Sequence, residues 1–324
     1  MKPKVFLTRE LPPECMRLLT ESTELSYNHE DRVLTKQEII SGVQNMDGLI
    51  CLLTDTIDDE ILAAGSKLQV VSNFAVGFNN IDVNAATRRQ IPVTNTPGVL
   101  TNSTADMAWA LMMDAARRVT EGDRLVRSGQ WSGWGPLQLL GPDVSGSNLG
   151  LIGLGRIGKA VAKRARGFEM QVRYWNRTRL SESEEAELGV QYFPMEQVLA
   201  ESDFISLHVA LNDETHHLIS TRELSLMKST ACLINTARGP VIHEAALVKA
   251  LKNGIIGSAG LDVYEEEPAV DKELLRLDNV VLAPHLGSAT IGTRTKMGNM
   301  AIENCLAACS GNKPPNLINP DAYV

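Results

Sequence analysis

The chain is 324 residues long, enough for two domains of ordinary size, and 44% of it is hydrophobic, a globular proportion. Its 39 acidic and 31 basic residues leave a net charge of −8, which argues against a nucleic-acid surface, and no stretch approaches the ~20 apolar residues of a membrane span. The five cysteines form neither a C-x-x-C pair nor a Cys/His metal spacing, so no metal is expected and the thiols point to a reducing cytoplasm.

The opening run carries too short an apolar stretch for a signal peptide and reads as a first strand over Val5–Thr8. A helical pattern follows from Pro13 to Glu21. Leu34–Val43 is helix-like and leads into a buried strand, Gly48–Leu53; Asp58–Ala64 is helix-like and leads into Val70–Ala75; Pro92–Asn95 closes the series. Short apolar strands alternating with helices imply a parallel sheet covered on both faces. A long helix pattern then runs from about Ser103 to Arg118. Residues 119–148 read as irregular, with Trp131, Trp134 and several Gly and Pro residues. So long a non-periodic stretch either packs on something, which would suit a subunit interface, or folds as a surface loop on its own domain. Further strands are expected near 149–152, 171–175, 204–207, 231–234, 257–261 and 280–282, with helices between them. A final helix, from about Thr290 to Ser310, is placed back on the first domain, and Cys305 and Cys309, four residues apart on it, are expected in the core.

The strand at 149–152 runs into Gly153-Leu-Gly155-Arg-Ile-Gly158, which opens a helix-like stretch, and a second apolar run, Gln171–Trp175, follows. This is the strand–turn–helix setting that a dinucleotide-binding G-x-G-x-x-G requires. One glycine makes the tight turn, a second lets backbone N–H groups approach a pyrophosphate, and a third lets helix and strand pack closely. In NAD-binding versions an acidic residue about 20 positions on bonds the ribose hydroxyls. Here that place reads Asn176-Arg177-Thr178-Arg179. A carboxylate would repel a 2′-phosphate, whereas Arg177 can pair with one and Thr178 can donate to it, so NADP(H) is expected over NAD(H).

Three later segments carry chemistry past apolar strands: Asn235-Thr236-Ala237-Arg238-Gly239, Gly260–Pro268 with its Glu265-Glu266-Glu267 run, and Pro284-His285-Leu286-Gly287. Reduction of a 2-oxo acid needs a fixed cation for the substrate carboxylate and oxo group, which suits Arg238. It needs a general acid for the carbonyl oxygen, which suits His285, and a carboxylate to orient and stabilise the imidazolium, which suits Glu267. Taken singly, each has an ordinary structural reading as a surface ion-pair partner, a solvated acidic loop or a satisfied histidine. Their order after a dinucleotide motif is what singles them out.

Over essentially its whole length the chain resembles the D-isomer-specific 2-hydroxyacid dehydrogenase family. The resemblance rests on Asn73-Phe-Ala-Val-Gly77-Phe-Asn-Asn-Ile81-Asp82, Gly153–Gly158, His208–Leu218, Asn235–Val241, Gly260–Pro268 and Pro284–Thr290. It implies an α/β protein of two Rossmann-like or flavodoxin-like domains with a cleft between them. Residues 1–100 with 290–324 would bind substrate, and 101–289 would bind NADP, with an interface arm near 119–148. It assigns Arg238, Glu267 and His285 as substrate clamp, supporting acid and general acid, and gives the substrate carboxylate to the N–H groups of Val76 and Gly77. Thr104 would lie near the cofactor phosphate and nicotinamide, Asp262 would bond the carboxamide, and Gly287 would lie at the cofactor. The remaining cofactor contacts implied are Gly153, Gly155, Arg156, Ile157, Gly158, Asn176, Arg177, Thr178, Thr215, Thr236, Arg238 and His285. The family often has Pro at the position of Ala210, a departure beside the adenosine pocket. The resemblance further implies a homodimer and looks closest to the glyoxylate/hydroxypyruvate reductase branch, acting on small 2-oxo acids. A 2-ketogluconate reductase, an NAD-linked dehydrogenase of the family (one acting on 3-phosphoglycerate, for example) and a non-catalytic NAD(P)(H)-sensing protein stay as alternatives.

Overall fold

The apolar runs of the first hundred residues fold as five strands: β1 Lys4–Leu7, β2 Glu24–Tyr27, β3 Gly48–Leu52, β4 Val70–Phe74 and β5 Val93–Thr94. In this computed structural model, which describes residues 1–323, they pair in parallel in the order β2-β1-β3-β4-β5, a flavodoxin-like arrangement. All of β4 and nearly all of β3 are buried, which is why these strands read as continuous apolar runs rather than alternating ones. The helices Lys36–Gly42, Asp59–Ala64 and Val83–Arg88 supply Ile39, Ile61, Leu62 and Ala85 to one face. The other face is covered by Pro13–Ser22 and by the late helix Ile291–Cys309, through Met297, Ala301, Ile302 and Cys305. Ser72 Oγ donates to the Ala301 carbonyl at 2.7 Å. Gly298 faces Cys15 so closely that a Cβ there would overlap its sulfur. The chain thus divides into one unit of Met1–Leu100 continued from Ala289 onward, and a second of Thr101–Ser288.

The second unit holds seven parallel strands: β6 Asn148–Ile152, β7 Gln171–Trp175, β8 Val190–Tyr192, β9 Phe204–Leu207, β10 Cys232–Asn235, β11 Ser258–Leu261 and β12 Val280–Leu282. Their order is β12-β11-β10-β9-β6-β7-β8, the doubly wound Rossmann order extended by one strand. It reverses direction between β6 and β9, the crevice where such sheets bind ligands. The helices Thr101–Arg117 and Arg156–Ala165 cover one face, and Met195–Glu201, Thr221–Leu226 and Glu244–Lys252 the other. Gly260 on β11 lets Leu111 of the first helix pack directly on the strand.

Three features differ from the expected elements. The edge strands β2 and β8 carry no strong apolar signal. Part of the stretch expected to be irregular, 119–148, is helical over Val119–Arg127. That helix starts at Arg118, a left-handed residue with φ 53°, and Asp114 accepts the Thr120 N–H at 2.7 Å. None of its residues is buried. Beyond it Trp131 and Trp134 are 50% and 84% exposed. All five cysteines are free thiols; Cys305 is buried as expected, whereas Cys309, one turn on and near the helix end, is only half-buried, and no helix among the described residues is long and apolar enough to cross a membrane.

Candidate active site

At the switch point, β6 runs into the glycine turn. Gly153 is in the left-handed region, φ 94°, and a Cβ there would meet the backbone of His208 and Val209 just past β9. Gly158 lies against the Gly153 carbonyl with no room for a side chain. These two glycines are explained by the protein itself. Gly155 is not: its backbone angles, φ −76° and ψ −160°, suit any residue, and a Cβ there would point into open space. It precedes the helix Arg156–Ala165 without offering a side-chain cap, so first-turn N–H groups at Arg156 and Ile157 remain for an anion. A glycine demanded by neither fold nor conformation, at an uncapped helix start, fits close approach of a pyrophosphate.

The end of β7 shows which groups of the Asn176–Arg179 run are committed. Asn176 Oδ1 accepts the Leu154 N–H at 3.3 Å and its Nδ2 donates to the Thr178 carbonyl at 2.8 Å, so it ties the glycine turn to β7. Arg179 makes two 2.8 Å bonds to Glu185, whose carboxylate also accepts from the Tyr174 hydroxyl at 2.7 Å. The Glu185 carboxyl sits below its ordinary value through Arg179, against its burial. Among the described residues, Arg177 makes an exposed pair with Glu214, at 3.2 Å. Thr215 spends its hydroxyl within its own turn, on Ala210 O at 2.6 Å.

Three side chains stand past three successive strands, at the same sheet edge as the glycine turn because the strands are parallel. Arg238 follows β10. Asn235 shapes its turn by donating to the Arg238 carbonyl at 2.9 Å and accepting the Ala237 N–H at 3.0 Å. Burial pulls the guanidinium below its ordinary value, and Glu267 pulls it back up. Glu267 follows β11. Its Oε1 accepts the Tyr264 N–H at 3.1 Å and its Oε2 lies 2.8 Å from Nδ1 of His285, which follows β12. Burial opposes its charge, but the His285 bond and charge, the Tyr264 N–H and Arg238 together hold the carboxyl below its ordinary value. Arg238, Glu267 and His285 are thus linked electrostatically.

His285 has φ 54°, a left-handed conformation that an L-residue adopts at a cost of about 1–2 kcal/mol. Its reason is Asp262. The turn aims the next two N–H groups, Leu286 and Gly287, at Asp262 Oδ1 and Oδ2 at 2.6 and 2.7 Å. Asp262 is 1% exposed; burial raises its carboxyl above the ordinary value while these N–H groups and His285 lower it. Thr104 joins here, donating to the Gly287 carbonyl at 3.2 Å. Thr236, between Asn235 and Arg238, has a buried hydroxyl with no hydrogen-bond partner among the described residues, a polar atom that a ligand would satisfy.

Val76 and Gly77 lie in the other unit. Their carbonyls accept from Asn95 Nδ2 and Asn73 Nδ2, both at 2.8 Å, which fixes the orientation of that loop's peptides. The sequence reading did not single out His208, whose ring is 2.9 Å from Ser206 Oγ beside the glycine turn. Burial pushes it down to about 4, so it is neutral. No spacing signals it; the parallel pairing of β6 with β9 is what brings it beside the glycine turn.

An uncapped glycine turn at the switch point, with an imidazole and its carboxylate on the same edge, is the equipment of a dinucleotide-dependent dehydrogenase. The chain belongs to the D-isomer specific 2-hydroxyacid dehydrogenase family, whose NAD binding domain matches residues 109–287; a nicotinamide coenzyme is therefore what this domain holds. The chain is 52% identical to a glyoxylate reductase of Korarchaeum cryptofilum, over 99% of this chain and 97% of that one. Its fold matches that of a Thermus thermophilus protein of solved structure with a TM-score of 0.91 at 42% identity, covering 97% and 99% of the two chains. It also matches the NADPH-dependent glyoxylate/hydroxypyruvate reductase of Sinorhizobium meliloti, solved with NADP and malonate, with a TM-score of 0.87 at 31% identity over 100% and 98%.

Proposed function

We propose that this protein reduces small 2-oxo acids, glyoxylate and hydroxypyruvate first, to 2-hydroxy acids with NADPH. The observation that carries the reading is the convergence of Arg238, Glu267 and His285 past β10, β11 and β12. When bound, a reduced nicotinamide coenzyme would supply the hydride for the oxo carbon, and the protein's own groups would bind the acid and deliver the proton. Arg238 holds the substrate carboxylate and polarises the oxo group, with the N–H groups of Val76 and Gly77 assigned to the same carboxylate. Because Nδ1 of His285 faces Glu267, Nε2 is the nitrogen that hands its proton to the carbonyl oxygen as the alcohol forms. Glu267 stabilises the imidazolium before transfer, and solvent returns the proton afterwards. The glyoxylate reductase activity of close relatives supports this substrate class.

The coenzyme preference rests on Arg177. Its present partner is an exposed carboxylate, and such a pair is easily exchanged; a 2′-phosphate offers a stronger, charge-assisted contact. Thr178 would add a hydroxyl, and Thr236 a buried one elsewhere in the coenzyme site. Arg177→Ala is expected to raise the KM for NADPH by about 10- to 100-fold, the range of a lost charged hydrogen bond, and to leave that for NADH nearly unchanged. Run on glyoxylate, hydroxypyruvate, pyruvate and 2-ketogluconate with each coenzyme, this assay tests substrate and coenzyme together. Equal use of NADH by the unmodified enzyme would overturn the NADP assignment, and inactivity on all four acids would overturn the substrate class.

A homodimer through the 119–148 arm is part of the proposal. Val119, Val126, Trp131, Trp134, Leu137 and Leu140 are all exposed along it, apolar side chains that a second copy of the chain would cover. Light scattering should give twice the 35.3 kDa chain mass; a single-chain mass at micromolar concentration would count against it. The free thiols fit a cytoplasmic setting.

A further inference from the structure

Glu267 sits in the irregular segment that leads away from β11, yet it must meet an imidazole at hydrogen-bond distance. What fixes that segment lies outside the catalytic trio. Glu244, the first residue of the helix Glu244–Lys252, accepts the Glu265 N–H at 3.1 Å through Oε2 and the Asp271 N–H at 3.2 Å through Oε1. One side chain therefore pins the segment on both sides of Glu267. Glu265 returns the contact. Its Oε2 accepts the Glu244 N–H at 2.8 Å, and its Oε1 lies 2.5 Å from His217 Nε2.

His217 is itself fixed. Its backbone is left-handed, φ 52°, its N–H donates to the Pro240 carbonyl at 2.7 Å, and its ring lies against His216 and His243, with centroids 4.0 and 4.6 Å away. Gly239 closes the third side, since a Cβ there would overlap the backbone of Tyr264 and Glu265. Burial opposes the Glu265 charge, but the Glu244 N–H, the His217 bond and the charges of His217 and His243 hold the carboxyl below its ordinary value. The brace is thus built from an ionised carboxylate.

We propose that Glu244, Glu265 and His217 form a brace that positions Glu267 against His285 for proton delivery. They are positioning residues: none is assigned to substrate or coenzyme. The inference rests on the reading of Glu267 and His285 as the proton-delivering pair. The groups facing His285 are Glu267, from the segment the brace holds, and Asp262, at the end of β11, with Arg238 acting on Glu267 from the end of β10. A slack segment weakens the first of these and leaves the others in place.

The test is steady-state reduction of glyoxylate by Glu265→Ala, Glu265→Gln, Glu244→Gln and His217→Gln, with coenzyme affinity measured by fluorescence titration. Glu265→Ala is expected to lower kcat by about 10- to 100-fold, the scale of a small misplacement of a catalytic group, with coenzyme affinity unchanged. Glu265→Gln, which keeps the shape and one acceptor oxygen, should recover part of kcat. If Glu265→Ala does not fold, the Gln variants carry the same expectations at smaller size. Folded variants with an unchanged kcat would overturn the brace, as would losses confined to coenzyme affinity or a Glu265→Gln variant no better than Glu265→Ala. Glu267→Gln separates the two levels. If it is as active as the unmodified enzyme, the reading of the pair fails; if it is impaired while the brace variants are not, only the brace fails.

Discussion

His285→Ala is expected to lower kcat for 2-oxo acid reduction by about 10²- to 10⁴-fold, the usual contribution of a positioned general acid, while coenzyme affinity stays nearly the same. The two effects separate because the side chain and backbone of this residue have different partners. The imidazole bonds Glu267, and the turn that follows is held by Asp262 through the Leu286 and Gly287 N–H groups. Alanine keeps those N–H groups and meets about the same left-handed cost that histidine already bears. His285→Asn is a useful companion, since Asn tolerates that conformation well and cannot deliver a proton at neutral pH. Stopped-flow absorbance of NADPH with saturating substrate would read the step directly. A rate within about threefold of the unmodified enzyme would remove His285 from the chemistry.

Arg238→Ala is expected to cut kcat/KM by about 30- to 5000-fold, the range for removing a cation that pairs with a bound anion away from water. KM should rise and kcat should fall together. A cation on the substrate carboxylate binds ground and transition states alike, whereas polarisation of the oxo group matters most as charge develops on oxygen. Arg238→Lys should recover little, because a point charge cannot reproduce the planar fork of donors. The backbone turn keeps two ties without the side chain, since Asn235 holds it through the Arg238 carbonyl and the Ala237 N–H, and loses the bond from Arg238 Nη1 to the Ala237 carbonyl at 2.7 Å. Thermal unfolding should therefore move far less than activity. A kcat/KM within about tenfold of the original would show that the substrate carboxylate is held elsewhere.

The parts of the fold that were legible in the sequence are those whose burial is two-sided. Gly48–Leu52 and Val70–Phe74 are nearly all buried and read as apolar runs. Glu24–Tyr27 alternates between exposed and half-buried positions, and Val190–Tyr192 is three residues long; edge strands of this kind leave little pattern. The helix Val119–Arg127 buries nothing and begins at a left-handed arginine rather than at a glycine or proline, so no start signal marks it, although its apolar residues gather on one side.

In the site, Arg238, Glu267 and His285 could be picked out because each follows a readable strand. Their support could not. His217, Glu244 and Glu265 are scattered polar residues in sequence, and in the acidic run Glu265–Glu267, much of which does stay exposed, nothing in the sequence tells the two bonded carboxylates from a solvated one. Asp262 shows the same limit from the other side. Its grip on the two N–H groups after His285 depends on the backbone angle of that histidine, which no residue pattern reports.

The late helix Ile291–Cys309 has a consequence for synthesis. It covers the face of the first sheet formed by Val5, Leu7, Ile50, Val70 and Phe74, yet the ribosome reaches it only after the whole second unit. At about 5–20 residues per second, the roughly 190 intervening residues take on the order of 10–40 s, during which the nascent first unit shows bare hydrocarbon to the cell. Translation speed and chaperone supply would then govern yield more than the stability of the finished molecule.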